Sequence, residues 1–292
     1  MATIRIATRG SAQARTQAEA VSSSLRDAGF DTELVIVETF GDRTQAAGTP
    51  LHTIGGQGVF VKEVQRAVLD ERADLAVHSA KDLPTEIAPG LVIGAFTERR
   101  SPGDALVGRS LSDLASGAVV ATGSVRRRAQ IGRARPDLGF AELRGNIHTR
   151  LERVPDGGAV VVAIAALEIL GLTDRIAERL DPAEFVPAVG QGCVAVECRR
   201  DDDRIRSALA RIDHAGTRRE VTIERAFLAE LGSGCSLPVG AHADANKLFA
   251  FLAGEGTGVT VSETIELSGD LAADVETVRR AARAAHDHVT TP

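Results

Sequence analysis

Cys235 stands in the run Leu231-Gly232-Ser233-Gly234-Cys235-Ser236-Leu237-Pro238, a thiol on a glycine-rich turn behind a helix-like stretch. Small neighbours leave room for a bulky adduct, so this thiol suits a covalent anchor. A small buried hydrophobe is the competing reading of any single free cysteine. Asp82 lies in His78-Ser79-Ala80-Lys81-Asp82-Leu83-Pro84, directly behind the apolar run Leu75-Ala76-Val77. The carboxyl end of a strand is where open α/β sheets place their ligands. A carboxylate there can stabilise a cation and carry a proton, while Lys81 pairs with a substrate acid. An aspartate that merely caps the turn before Pro84 would read the same way, and His78 reads as structural.

Three further segments combine a strand end, a helix start and a guanidinium. They are Arg9-Gly10-Ser11, Thr122-Gly123-Ser124-Val125-Arg126-Arg127, and Arg144-Gly145-Asn146 with Arg150. Each offers backbone donors, a small polar side chain and a cation, the makings of an anion-binding corner. Together they suit a ligand bearing several carboxylates, which planar guanidiniums grip bidentately. Between Val125 and Arg153 eight arginines face three acids, although the whole chain carries a net charge of −6. That overall charge speaks against general nucleic-acid binding. The chain has only three lysines, Lys62, Lys81 and Lys247, so arginine also fills ordinary surface positions. The seven histidines show no paired ligand spacing, and no catalytic metal is expected.

The elements that must hold these residues alternate. Strand signals at 3–8, 32–38 and 73–77 alternate with helix signals at 11–28, capped by Ser11, and at 59–70. A second series follows Ser101-Pro102-Gly103: strands at 118–122, near Phe140 and at 159–163, with helices at 125–134 and 146–154. The apolar run at 194–196 comes after that series and is expected to return to the first sheet. A last unit reads as a helix at 217–231, strands at 239–243, 247–253 and 259–267, and a helix at 270–286. The fold class is therefore α/β: two periplasmic-binding-protein-like lobes with a hinge and a cleft, plus a small C-terminal α+β domain. The expected domains are 1–97 with 193–212, a discontinuous catalytic lobe; 103–187, an arginine-rich lobe; and 215–292, which carries the thiol. The Gly55-to-Gly58 loop lacks a dinucleotide fingerprint and reads as a flap or an ordinary connection. Cys193 and Cys198 read as strand packing. With no apolar run near the length of a membrane span and no signal-peptide core, the expected compartment is the cytoplasm.

In combination and order, several motifs make the chain resemble the hydroxymethylbilane synthase family, also called porphobilinogen deaminases. They are Ile6-Ala7-Thr8-Arg9-Gly10-Ser11, Gly58-Val59-Phe60-Val61-Lys62-Glu63, the segment from Ala76 to Pro84, Leu143-Arg144-Gly145-Asn146, Pro187-Ala188-Val189-Gly190-Gln191-Gly192, and Gly234-Cys235. The resemblance implies a monomeric three-domain transferase of porphyrin and heme biosynthesis. It joins four porphobilinogen molecules head to tail, releases ammonia and frees a linear tetrapyrrole, with no nucleic-acid or membrane partner. It further implies a dipyrromethane primer on Cys235 through a thioether, held by Arg126, Arg127, Lys81 and Ser124. Asp82 is implied as the main catalytic group, a carboxylate that hydrogen-bonds pyrrole nitrogens and stabilises the cation left after ammonia departs, and Arg9, Ser11, Thr122, Arg144 and Arg150 as substrate-binding residues. The chain departs from the family pattern at Ile169, where arginine is usual, at Thr53 and Gln57, where lysine is common, and at Ala121 with Gly123 in the turn before Ser124. If the thiol is the anchor, Cys235→Ser abolishes the added mass of two pyrrole units in an intact-mass spectrum; a variant that keeps that mass contradicts the assignment.

Overall fold

The computed structural model describes residues 3–39, 61–232, 238–254, 256 and 258–290. Cys235, the 55–58 loop, Thr53 and Gln57 lie outside the described residues. Along the chain the elements run β1 (Ile4–Arg9), α1 (Ala12–Asp27), β2 (Thr32–Val37), α2 (Lys62–Leu69), β3 (Leu75–Ser79), β4 (Leu91–Phe96), β5 (Asp104–Gly108), β6 (Val119–Ala121) and α3 (Val125–Ala134). They continue with β7 (Gly139–Ala141), α4 (Ile147–Leu151), β8 (Ala159–Ala163), α5 (Ile164–Ile169), β9 (Ile176–Arg179), β10 (Val194–Arg199) and α6 (Asp203–Leu209). The last elements are α7 (Ala215–Glu230), β11 (Val239–Asp244), β12 (Lys247–Ala253), β13 (Thr260–Glu266) and α8 (Leu271–Thr290). The chain divides into two compact units, Met1–Arg100 with Cys193–Arg219, and Ser101–Gly192 with Glu220–Pro292.

In the first unit the sheet order is β2-β1-β3-β10-β4. β1 pairs in parallel with β2 and β3, whereas β10 runs antiparallel between β3 and β4. Both faces of this sheet are buried. Ile4, Ile6, Leu75, Val77 and Val196 pack with Ala18, Val21 and Leu25 of α1 and with Ile205 and Leu209 of α6. Ala7 and Ala76, pointing the other way, pack with Val64, Ala67 and Val68 of α2. Alternate strand residues face opposite sides, so two-sided cover explains why β1 and β3 read as near-continuous apolar runs. The returning run at 194–196 extends to Arg199 and places Cys198 in the core, where burial pushes its thiol up to about 11. β3 reaches two residues further than the sequence suggests, because Val194 of β10 pairs with Ser79.

The second unit holds two sheets. In the first, with order β7-β6-β8-β5-β9, β6 pairs in parallel with β7 and β8, and β5 runs antiparallel to β8 and β9. The second is the antiparallel meander β11-β12-β13. Leu248, Ala250 and Leu252 of β12 face Ile223 and Phe227 of α7 and Val278, Ala282 and Val289 of α8. Phe251 and Ala253 face the opposite way, onto Val186. Arg133 of α3 lies over the Phe251 ring, 5.8 Å from its centroid, and its Nη1 donates to Ser262 Oγ at 2.8 Å.

The segment after Phe185 is fixed to the meander by backbone and by one buried acid. Ala241 N donates to Pro187 O at 3.1 Å. Glu224, fully buried on α7, accepts Gly190 N at 2.7 Å and Ala243 N at 2.9 Å. Gly240 allows this approach, since a Cβ there would lie 2.6 Å from Val186 O and 2.9 Å from Pro187 O. Gly240→Ala therefore forces two backbones apart, and a loss of about 1–3 kcal/mol is expected as a lower urea midpoint; an unchanged midpoint would show that the contact yields freely.

Candidate active site

In the first unit the parallel pairing of β1 and β3 brings their carboxyl ends to one sheet edge. β1 ends at Arg9, which is half-exposed, and Ser11 caps α1 by accepting Ala14 N at 3.3 Å. Thr8, fully buried, donates its hydroxyl to Ala14 O at 3.1 Å and so fixes the helix start against the strand end. Gln17 of α1 and Ser79 at the end of β3 share a side-chain hydrogen bond at 3.0 Å. Beyond Ser79 the chain turns through a single 3-10 turn, Ala80–Asp82. Ala80 N donates to Cys193 O at 2.9 Å, and Leu83, 4% exposed, buries the far side of the turn.

The turn is closed without the Asp82 side chain. A capping aspartate would spend its oxygens on the turn. Here Leu83 N donates to Ala80 O instead, and the exposed Asp82 carboxylate has no hydrogen-bond or ionic partner among the described residues. Lys81 beside it is half-exposed. His78 is buried, its Nε2 3.2 Å from Glu197 Oε2 without a hydrogen bond to it, and that oxygen accepts Gln65 Nε2 at 2.9 Å. It is structural, as its sequence position suggests.

The second unit repeats the arrangement. β6 and β7 end side by side, and the turn Thr122-Gly123-Ser124 leads into α3 as Arg144-Gly145-Asn146 leads into α4. Ser124 N donates to Thr122 Oγ1 at 3.2 Å, and Ser124 Oγ caps α3 by accepting Arg127 N at 3.4 Å. These capping hydroxyls accept from the backbone and keep their own hydrogen for another acceptor. Gly123 is required where it stands, because a Cβ would meet Leu143 O at 2.8 Å. Asn146 caps α4 through Thr149 N at 3.0 Å, and Arg150 Nε donates to Gly145 O at 2.8 Å. Arg144 is half-exposed and has no partner among the described residues. Ile169, at the end of α5, is half-buried.

Arg126 and Arg127 behave differently from the free forks that the sequence suggests. They are 5% and 8% exposed and share one carboxylate, that of Asp104, itself 1% exposed. Arg126 Nη2 donates to Asp104 Oδ2 at 2.8 Å, and Arg127 Nη2 to Oδ1 at 2.6 Å. Their Nη1 atoms donate to Val186 O at 2.6 Å and Val161 O at 3.0 Å. Gln191 Nε2 adds a third donor to Asp104 Oδ1 at 2.7 Å, and Gln130 Nε2 a second donor to Val186 O at 3.0 Å. Sequence reasoning missed Asp104, Gln130 and Gln191 as a cluster. The available signal was an acid heading the otherwise apolar strand Ala105-Leu106-Val107.

Burial alone would raise the Asp104 carboxyl, but the charges of Arg127 and Arg126, then their hydrogen bonds, hold it far below the usual carboxylate range. Burial lowers Arg126, and the adjacent Arg127 charge adds to that, with Asp104 opposing both. Two cations and one anion leave one positive charge without a counter-ion among the described residues, and Arg127 Nε is buried with no acceptor. A buried excess charge is costly unless a ligand meets it. This edge thus fits the acid side chains of a dipyrromethane, with Arg144 as a further cation. Removing the shared acid in Asp104→Ala leaves both guanidiniums uncompensated and is expected to cost about 3–5 kcal/mol at neutral pH by chemical denaturation. Because Asp104 titrates lower folded than unfolded, its contribution is full above the unfolded value of about 3.9 and fades as the solution is acidified further. A stability gap that widens in acid would overturn the charge account.

Residues 4–207 match the family model described as porphobilinogen deaminase, dipyromethane cofactor binding domain, and residues 218–284 match that of the porphobilinogen deaminase C-terminal domain. A porphobilinogen deaminase of Acidothermus cellulolyticus is 46% identical over 250 residues, covering 82% of this chain and 75% of that protein. Among solved structures, a double mutant of the Bordetella pertussis BvgS VFT2 domain shares 16% identity over 72% of this chain and 86% of its own, with a TM-score of 0.43. The methionine binding protein MetQ shares 14% over 74% and 92%, with a TM-score of 0.46. At such distances these two likenesses carry no argument. The family-model matches over residues 4–207 and 218–284, together with a relative 46% identical over 82% of the chain, establish that the chain belongs to the porphobilinogen deaminase family.

Proposed function

We propose that this chain condenses four porphobilinogen molecules head to tail with loss of four ammonia molecules, building the product on a dipyrromethane primer joined to Cys235, and that one water then cleaves the bond to the primer to release linear hydroxymethylbilane. The primer, when bound, would supply the free pyrrole carbon to which the first unit is joined, and each later unit would join the newest pyrrole of the growing chain. The family match across 4–207 and 218–284 carries the activity. The observation that supports the catalytic residue is Asp82, an exposed carboxylate at the end of β3 with no partner among the described residues.

Loss of ammonia from porphobilinogen leaves a cation conjugated with a pyrrole N–H. We assign Asp82 to accept that N–H and to stabilise the positive charge as it develops, the place where a fixed anion accelerates a reaction most. Lys81 and Ser124, with Arg126 and Arg127, are assigned to the primer's carboxylates. Arg9, Ser11, Thr122, Arg144 and Arg150 are assigned to those of the growing chain. Each added pyrrole brings two carboxylates, and fixed guanidiniums offset their mutual repulsion. Half-buried Ile169 brings no cation to the end of α5.

We further divide the chain as 1–97 with 193–212, 103–187 and 215–292. The separate apolar clusters of the β7-β6-β8-β5-β9 sheet and of the meander support keeping the last two apart. We take the enzyme to act as a cytoplasmic monomer, a reading carried by the family resemblance; among the described residues no helix is long and apolar enough to cross a membrane. Asp82→Asn keeps the side-chain volume and removes the charge. Turnover is expected to fall by roughly 10²–10⁴-fold with an unchanged melting temperature, and activity near that of the native chain would refute the assigned role.

A further inference from the structure

We propose that Asp104 is a positioning residue for this reaction: it aims the guanidiniums of Arg126 and Arg127 at the primer's acid side chains without itself touching primer or substrate. The inference rests on the assignment of that arginine pair given above.

Arg126 and Arg127 are consecutive in the first turn of α3, and consecutive helical side chains diverge by about 100° around the axis. Two adjacent long cations would therefore splay and repel each other unless one acceptor drew them together. Asp104 does so symmetrically, with one oxygen for each arginine, at 2.8 Å and 2.6 Å. Its own position is set by Gln191, whose Nε2 reaches Asp104 Oδ1 at 2.7 Å and Pro102 O at 2.8 Å. The acid thus sits at the start of β5, opposite Ala163 at the carboxyl end of β8. One acid for two bases also sets the charge that the edge offers. A second buried carboxylate would neutralise the pair, and none at all would leave two cations undirected.

The test compares Asp104→Asn with Asp74→Asn. Asp74, in the first unit, is a comparable carboxylate with a 6% exposed side chain, pinned by Arg5 through its backbone N at 2.8 Å and its Nη2 at 2.8 Å. It belongs to no assigned site. Each variant is produced in a host that makes porphobilinogen, and the folded fraction is weighed intact. Asp104→Asn is expected to lower the fraction carrying the two-pyrrole mass by about tenfold or more, as for one lost charge-assisted hydrogen bond. In the molecules that do carry it, KM for porphobilinogen should rise more than kcat falls. Asp74→Asn should lose thermal stability yet load as the native chain does.

Full loading with a native KM in Asp104→Asn overturns the proposal, as does an equal loss of loading in Asp74→Asn at matched stability. If Asp104→Asn yields no folded protein, Gln191→Leu decides, since it keeps the charge and frees the carboxylate: reduced loading supports the proposal and native loading overturns it. Native loading and KM in both Arg126→Gln and Arg127→Gln would refute the assignment of the pair, a failure separate from that of Asp104.

Discussion

Parallel strands can be joined only by a crossover that carries the chain back to the end it started from, and this constraint places nearly every residue of the candidate site. β1, β2 and β3 run the same way in one unit, and β6, β7 and β8 in the other. Every loop that leaves one of these strands toward a helix therefore emerges at the same edge of its sheet. Arg9 to Ser11 and Lys81 to Asp82 share one edge; Thr122 to Ser124 and Arg144 to Asn146 share the other. Each sheet also takes one antiparallel strand, and that strand begins where its parallel neighbour ends, Val194 opposite Ser79 and Asp104 opposite Ala163. An acid at the head of β5 is thereby delivered to the arginine-bearing edge, although about 20 residues separate them in sequence.

The Asp104 cluster illustrates how a fold can keep charges in its interior. Taking a carboxylate and two guanidiniums out of water costs several kcal/mol for each ion. Six hydrogen bonds to Asp104, Val186 and Val161 from arginine and glutamine donors recover part of that. The cluster carries one positive charge more than its acid balances, and Arg127 Nε has no acceptor among the described residues. Asp74 and Glu224 are pinned buried carboxylates as well, but Asp74 faces arginine partners alone and Glu224 mainly receives backbone N–H groups. Both act within the scaffold.

The same contrast separates the two aspartates that matter most. Asp104 is buried, committed and held ionised by its neighbours, so it fixes geometry. Asp82 is exposed at the end of a turn whose own backbone bond is made without it, so its oxygens stay uncommitted among the described residues, as the role proposed for it requires. A carboxylate can serve a developing cation only if the protein has not already spent it.

Much of this was legible in the sequence because it depends on local rules. Ser11 and Ser124 announce their helices as caps, apolar runs announce buried strands, and the motif order from Ile6 to Cys235 announces the family. Short elements with no periodic signature were not legible: β4, β5, β9, α5 and α6 exist because neighbours pair with them or cover them. Sequence fixed the identity of the chemical groups, the thiol at 235, the acid at 82 and the arginines around 126. Tertiary structure alone decided which charges face one another, since a guanidinium is free or committed only according to what lies across the sheet from it. Asp104 becomes the partner of Arg126 and Arg127 through antiparallel register, a relation between distant strands that no local pattern of residues encodes.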